Sequence, residues 1–560
     1  MLSIYRVLVN SYILLIVSLI GILRIWAGEA KAQSVRLSPL IPTPRATFVP
    51  TPPNQKGYWN IDVVGDFYLP ASKSVTFNGA GRNLHVQQDW EKLFRRGFTA
   101  IERTRMTFDE QRIPIYNEKP LGWKSRLKQS QRAMIVVRNH FYYPPTNEFN
   151  LLWTKDRNYA PYTYFVRPPG DLTSKNSLRA AMDQLSDGCR TFGDCPPTGE
   201  ISTYGRIFLD VEDDGIPVTT SQQEQVNLFV FMAASLRTVS SATTEIGSIE
   251  PVPHNNFGFT RYADYSAGPD WLWATPAQHT PANPGLSILS SQDRGMPDSI
   301  VGKSFSDYVD FQMPGVYNRS PAFDYAASHT GEQETHWLAG VLGEQEVNSA
   351  LSSKKRIAWQ WMFNTQSGDP GDSPKADHAA PPAVAEGTAI FYWFTGADGV
   401  LFWDDIVDLT PNQTILPDSD PEKGVGNDRN YACYEHYLHG LWRLFYHHRD
   451  LFNGRETYLN QRTECSFDNG QTWHQYNAGD LKRNSLPFAR AIVNGDQILI
   501  AAHNPYATPD KKIAMQVRYT EGGYEFVTEI NLTGDEIFLG RATMPKVKRI
   551  AVAVCNNCPK

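Results

Sequence analysis

Across the middle of this chain, apolar runs of strand length alternate with helix-like stretches, and few folds accept that pattern. Candidate strands lie at Ile61–Phe67, Ala133–Tyr142, Tyr162–Arg167, Arg206–Glu212, Glu245–Pro253, Val309–Tyr317, Arg356–Phe363 and Gly399–Asp404. Helix patterns fall at Gln222–Val239, Glu332–Ser353, Ala383–Phe394 and Tyr431–Leu451. Strands joined through helices run parallel, because a crossover returns the chain to the same end of the sheet. Eight such strands predict an α/β fold, a (β/α)8 TIM barrel over residues 58–458.

The pattern changes after about Tyr458. Short β-rich runs at Ala489–Val493, Gln497–Ala502, Ile513–Tyr519, Tyr524–Ile530 and Ile537–Arg541 are separated by turn signals such as Asn494-Gly495-Asp496. They predict a small C-terminal antiparallel β-sandwich over residues 459–560. At the other end, residues 1–32 carry one early charge, Arg6, an apolar run from Tyr12 to Leu23, and Ala30-Lys31-Ala32 before Gln33. That is the layout of an export signal, which implies a secreted, extracellular or periplasmic protein. A membrane contact follows only if the segment stays uncleaved. Residues 33–57, rich in proline, read as an extended linker.

Six cysteines form three natural pairs by position: Cys189 with Cys195, Cys433 with Cys465, and Cys555 with Cys558. In an exported protein these are expected as disulfides. The net charge of −6 gives no basic footprint, so nucleic acid is not an expected partner. The 14 Trp, 26 Tyr and 28 Phe lean toward a carbohydrate partner, since sugar rings dock on aromatic faces.

The chemistry concentrates in Gly205-Arg206-Ile207-Phe208-Leu209-Asp210-Val211-Glu212-Asp213-Asp214-Gly215, an apolar strand that ends in acids. Asp210 and Glu212 fall on one face, with Cα atoms roughly 6.6 Å apart at about 3.3 Å per residue. Two neighbouring carboxylates repel when both are ionised, so one retains its proton near neutrality. A proton-bearing carboxyl beside an ionised one suits cleavage of a glycosidic bond. Counted along the chain this is the fourth strand, and its end lies on the face where barrel enzymes hold their chemistry. Asp213 and Asp214 read as turn or helix-cap residues.

Later strands add to the case. Met313-Pro314-Gly315-Val316-Tyr317 resembles the hyaluronidase phrase F-P-S-x-Y, and Gly399-Val400-Leu401-Phe402-Trp403 resembles the last strand of that family. Together with the D-x-E at Asp210 and Glu212, the stretch from Arg206 to Asp405 resembles glycoside hydrolase barrels of the chitinase and hyaluronidase type. It lacks the longer D-x-x-D-x-D-x-E of chitinases and the Trp-Glu pair of hyaluronidases. The resemblance implies Glu212 as general acid and Asp210 as the residue that orients a 2-acetamido group. Tyr317 would hold the acetamido carbonyl, and Trp403 would floor the cleavage subsite. Asp404, or Asp405, offers a different scheme, with a second carboxylate acting across the barrel. His254 and Asn256 beyond the fifth strand and Trp361 in the seventh complete the expected substrate-binding set.

No cofactor is expected. A metal-dependent reading through His254 lacks ligand spacing such as H-x-x-x-H. The alternative to a hydrolase is a non-catalytic glycan-binding protein on the same barrel. Finally, Ser466-Phe467-Asp468-Asn469-Gly470-Gln471-Thr472-Trp473 resembles the Asp-box of sialidases and other propellers. It occurs once, so it predicts a hairpin turn and not a propeller.

Overall fold

The computed structural model describes residues 33–52, 59–79, 92–104, 106–108, 114–116, 133–138, 206–210, 244–249, 307–318, 353–364, 380–405, 432–476, 487–504, 511–521, 524–534 and 536–545, with single positions between 237 and 349. Two short strands come first, β1 (Gln33–Arg36) and β2 (Ile41–Pro42). Next are β3 (Ser74–Gly79), β4 (Ala100–Thr104), the hairpin β5 (Met106–Phe108) and β6 (Pro114–Tyr116), β7 (Ala133–Arg138), β8 (Arg206–Asp210) and β9 (Glu245–Ile249). Then come β10 (Phe311–Met313), β11 (Gly315–Asn318), β12 (Lys355–Asn364) and β13 (Gly399–Asp405). β10 and β11 are halves of one strand split at Pro314, which has no N–H to give to a ladder.

Without the hairpin, β3 to β13 form one parallel sheet that closes on itself. β13 pairs with β3, and β10 pairs with both β9 and β12. Followed from Tyr317 through Trp361, Trp403 and Asn78, and on around the ring, the register comes back to the starting strand eight residues lower, at Val309. Eight strands with that stagger are a TIM barrel. The inner core holds Ala100, Phe208, Phe311, Met313, Ile357, Trp359 and Leu401. The alternate residues Val75, Phe77, Ala358, Val400 and Phe402 face outward into a second core.

One of the expected strands is corrected. Ile61–Val63 is a 3-10 turn, capped by Asn60 through the Asp62 N–H at 2.8 Å. Its apolar side chains bury against the outside of the barrel, and Phe67 makes only a single bridge to Arg96. The first strand is instead β3, and β4 is a strand with Glu102 and Arg103 at its centre. Tyr162–Arg167 lies outside the described residues. In the closed ring β3, β4 and β7 precede β8, so β8 is the fourth strand of the barrel, as expected from sequence.

Helix α1 (Pro382–Phe394) starts with proline in its first turn, where the fixed φ fits and no N–H is needed. It is buried on nearly every side because it lies between two layers. Tyr392 Oη reaches the barrel at Gly399 O, 2.6 Å, and Phe391 packs on Phe488 of the sandwich with ring centroids 5.0 Å apart. Helix α2 (Ala432–His448) is amphipathic and sets Tyr434 and Tyr437 against Phe402 at 4.8 and 4.7 Å. The helical positions among residues 338–349 fall within the expected Glu332–Ser353 helix.

The sandwich strands are β14 (Thr457–Tyr458), β15 (Thr463–Ser466), β16 (His474–Gln475), β17 (Phe488–Asn494), β18 (Gln497–His503), β19 (Lys512–Glu521), β20 (Tyr524–Thr533) and β21 (Ile537–Thr543). One sheet runs β1-β20-β19-β15-β16 and the other β14-β17-β18-β21-β2. The expected linker therefore needs correction. β1 adds in parallel to β20, β2 adds antiparallel to β21, and Leu37 is buried. The chain enters through the sandwich before it builds the barrel.

The Asp-box folds as the expected turn between β15 and β16. Asp468 Oδ1 accepts the Thr472 N–H at 2.8 Å, Ser466 Oγ accepts the Gly470 N–H at 2.9 Å, and Asn469 and Gly470 take φ of 58° and 81°. These hydrogen bonds, the Thr472 N–H foremost and then Ser466, lower the Asp468 carboxyl to about 2. Arg518 stacks over Trp473, 4.3 Å from the ring centroid.

The Cys433–Cys465 bridge is also corrected: both are buried thiols. Cys433 opens α2 against the barrel side, while Cys465 lies on β15 inside the sandwich, so they belong to different layers. Burial pushes both thiols up, Cys465 to about 12. Cys189, Cys195, Cys555 and Cys558 lie outside the described residues.

Candidate functional site

The N-terminal end of the barrel is closed by charge pairing. Arg206 donates to Glu245 at 2.7 Å and to Ser74 Oγ at 2.6 Å, and Lys355 also pairs with Glu245. Burial alone would raise the Glu245 carboxyl, but Arg206 and Lys355 outweigh it and hold the group below its usual range. Beside them Arg237 pairs with Asp310, whose second role is to accept the Ile246 N–H at 2.7 Å.

Above this polar layer the interior is filled. Phe208 and Phe311 meet edge-on with centroids 5.4 Å apart. Position 247 must be glycine, because a Cβ there would sit 1.9 Å from the Phe311 ring. Met313, Leu401 and Trp359 complete the floor, each 1% exposed or less. Chemistry inside the barrel is thereby confined to its C-terminal rim, as in other barrels.

Two residues beyond three of these floor residues, on the same strands and the same face, stand Asp210, Gly315 and Trp403. They come from the fourth, sixth and eighth strands, which contribute to one layer of a TIM barrel. Asp210 and Trp403 therefore lie across the barrel from each other. Trp361, two residues beyond Trp359, is the register partner of both Trp403 and Tyr317. Four positions expected from sequence thus fall at the same end of the barrel strands: 210, 317, 361 and 403. Asp404 does not join them by pairing. Trp403 matches Asn78 and Asp405 matches Gly79, so Asp404 is a bulged residue with no partner in register on β3. Glu212, His254 and Asn256 lie outside the described residues.

Sequence reasoning passed over two rim positions. Asn78 is the penultimate residue of β3, a strand whose inner-face positions are polar. Arg138 ends β7, and its signal was the alternation Met134-Val136-Arg138, which puts an arginine in line with two inner-face residues. Among the described residues no group of His, Cys, Asp and Glu could hold a metal ion, and no helix is long and apolar enough to cross a membrane.

No protein-family model and no curated protein matches this sequence. Solved structures align with the chain at low similarity. A glycoside hydrolase family 30 subfamily 8 xylanase from Clostridium acetobutylicum aligns over 86% of this chain and 97% of its own, at 10% identity and a TM-score of 0.34. A family 30 endoxylanase from Clostridium papyrosolvens aligns over 86% and 98%, at 10% identity and a TM-score of 0.37. An α-amylase from Anoxybacillus aligns over 85% and 99%, at 9% identity and a TM-score of 0.36. These likenesses are distant, each with a TM-score below 0.5.

Proposed function

We propose that this chain is an exported glycoside hydrolase that cleaves a polysaccharide or glycan at the C-terminal rim of its barrel. The observation that carries the reading is the position of Asp210. It is an acid at an inner-face position, one layer above a sealed apolar floor and across the barrel from position 403. A carboxylate over a dry floor feels neighbouring charge more strongly than one in water. Aromatic positions across from it suit the apolar faces of a sugar ring.

Glu212, two residues further on, is the general acid that protonates the leaving oxygen. Asp210 supports the charge that develops at the sugar. In an N-acetylated substrate it does so by orienting the acetamido group, with Tyr317 on the carbonyl. In a neutral substrate Asp404 is the candidate for the second carboxylate. A carboxyl separation of about 5 Å gives retention, and one of about 6.5–9.5 Å gives inversion.

The test is hydrolysis of a panel of N-acetylated and neutral oligosaccharides by the wild type, Asp210→Asn and Glu212→Gln. The expected result is wild-type turnover that persists in chelator and falls by about 10²–10⁴-fold in Glu212→Gln. Glycan binding by all three proteins with turnover by none would assign the barrel to a non-catalytic glycan-binding protein. Turnover equal in all three would remove the acids from the mechanism. Export is checked separately, by N-terminal sequencing of secreted protein for a start at Gln33.

A further inference from the structure

Residues 43–51 run as a strap along helix α2, from its C-terminal end toward its N-terminal end. Thr43 Oγ1 lies 2.7 Å from His448 Nε2, the Ala46 N–H donates to His439 Nε2 at 3.0 Å, and the Thr51 N–H donates to Glu435 at 2.7 Å. Arg45 donates to Glu386 Oε2 of α1 at 2.7 Å, and Phe48 packs on His436 and His439 with ring centroids 5.0 and 5.4 Å apart. Both ends of the strap are reinforced. The Thr43 N–H bonds to Leu539 O at 2.8 Å, and Glu435 also accepts the Thr51 hydroxyl and the Asn60 N–H. The middle is held by His439 and Glu386. We propose that His439 is an acid-sensitive latch: the neutral ring holds residues 45 and 46 against the helices, and a second ring proton releases them.

A neutral imidazole accepts at one nitrogen and donates at the other, whereas an imidazolium donates at both. With the Ala46 N–H on Nε2, the neutral ring carries its proton on Nδ1, 3.6 Å from Glu386 Oε2. The second proton therefore lands on Nε2 and meets the Ala46 N–H donor to donor. The new charge also competes with Arg45, which is bound to that same Oε2. Both effects act on adjacent residues of the strap. Arg443, one turn on in α2, stays on Glu386 Oε1. The buried carboxylate thus keeps two cations in either state, Arg443 with Arg45 before release and Arg443 with His439 after it. From the sandwich side, Glu536 acts on Arg443, and His436 and Glu435 lie on the same helix as the ring. The other imidazole that touches the strap behaves differently. Burial, then Arg541 and His447, hold His448 down at about 3, so the Thr43 contact stays neutral across pH 5–8, where imidazoles ordinarily titrate. Release is therefore local, with the middle of the strap lifting between two fixed ends. The inference stands apart from the hydrolase reading, and glycan assays do not bear on it.

Amide hydrogen exchange on the full chain tests this, with each rate corrected for intrinsic exchange at that pH. Between about pH 7.5 and pH 5, the Ala46 N–H should lose about tenfold in protection, the worth of one hydrogen bond. The Leu37 and Thr43 N–H groups, bonded to Val527 O and Leu539 O, should keep theirs. In His439→Gln the side chain does not titrate, so Ala46 protection should be equal at both pH values. Three results overturn the proposal: Ala46 protection unchanged in the wild type, protection that falls in step with Leu37 and Thr43, or a fall that persists in His439→Gln. If that variant does not fold, the nitrogen-15 resonances of the wild-type His439 ring decide. Their titration should coincide with the loss at Ala46, and a loss at Ala46 with the ring unchanged overturns the latch.

Discussion

Glu386→Gln should destabilise barrel and sandwich together. Glu386 lies on α1, 2% exposed, and is faced by polar side chains from three directions. Arg443 of α2 pairs with Oε1, and Arg45 of the N-terminal segment donates to Oε2 at 2.7 Å. The Nδ1 of His439 stands 3.6 Å from Oε2. The Ala46 N–H donates to His439 Nε2 at 3.0 Å, so the ring proton belongs on Nδ1, facing the carboxylate. Arg443 also donates to Ile537 O on β21 at 2.8 Å, which joins the cluster to the sandwich.

Removing the charge leaves Arg443 buried without an anion. Breaking a buried pair from one side costs about 3–5 kcal/mol, and Gln keeps the volume and one acceptor, which points to the low end, about 3 kcal/mol. Burial alone would raise the Glu386 carboxyl, but His439, Arg443 and Arg45 outweigh it and hold the group far below the carboxylate range. A carboxyl lowered on folding stabilises fully above its unfolded value near 4.3 and loses that contribution as pH falls. The gap between wild type and variant should therefore narrow by about 1.4 kcal/mol per pH unit below about 4.3. Urea unfolding at pH 7 and pH 3.5, followed by tryptophan fluorescence and far-ultraviolet dichroism, measures both effects. A gap under about 1 kcal/mol at pH 7, or one unchanged at pH 3.5, would refute the reasoning.

Three further perturbations have clear signs. Asp468→Asn should lower the stability of the sandwich at pH 6, and the difference from wild type should close as pH falls from about 4 toward 2, where the Asp468 carboxyl takes its proton; differential scanning calorimetry across that range checks it. Gly247→Ala forces the Phe311 ring to move and should cost about 1–3 kcal/mol by overpacking, read by chemical denaturation. Deleting residues 33–42 strips β1 and β2 from the edges of the two sheets, so the protein should unfold at lower temperature and aggregate through the uncovered edges of β20 and β21. Light scattering and melting curves indistinguishable from wild type would return that segment to the status of a linker.

What the sequence could disclose divides along a physical line. Strands buried on both faces read as unbroken apolar runs, so β8, β9, β12 and β13 are visible in composition alone. β3 and β4 are not, because Ser74, Thr76 and Asn78 take the inner face of one and Glu102 that of the other. Ile61–Phe67 is as apolar as any strand and still not one, since its side chains pack beside Trp59 on the outside of the barrel, where no neighbour offers a ladder. Proline content misleads at residues 33–42 for a related reason. Pro42 sits on an edge strand, where a missing N–H does little harm, and composition does not record which strand will be its neighbour.

The same limit governs the site. Asp210, Tyr317, Trp361 and Trp403 announce themselves as unusual endings to apolar strands, whereas an arginine after Ala133-Met134-Ile135-Val136-Val137 looks like an ordinary solvated end. Only the register of β7 against β8, set by the stagger of the closed ring, brings Arg138 level with Asp210. Shifting that register by one residue would carry position 138 to the outer face. Which residues stand level with Asp210 is therefore a property of how the barrel closes, recorded in no single strand.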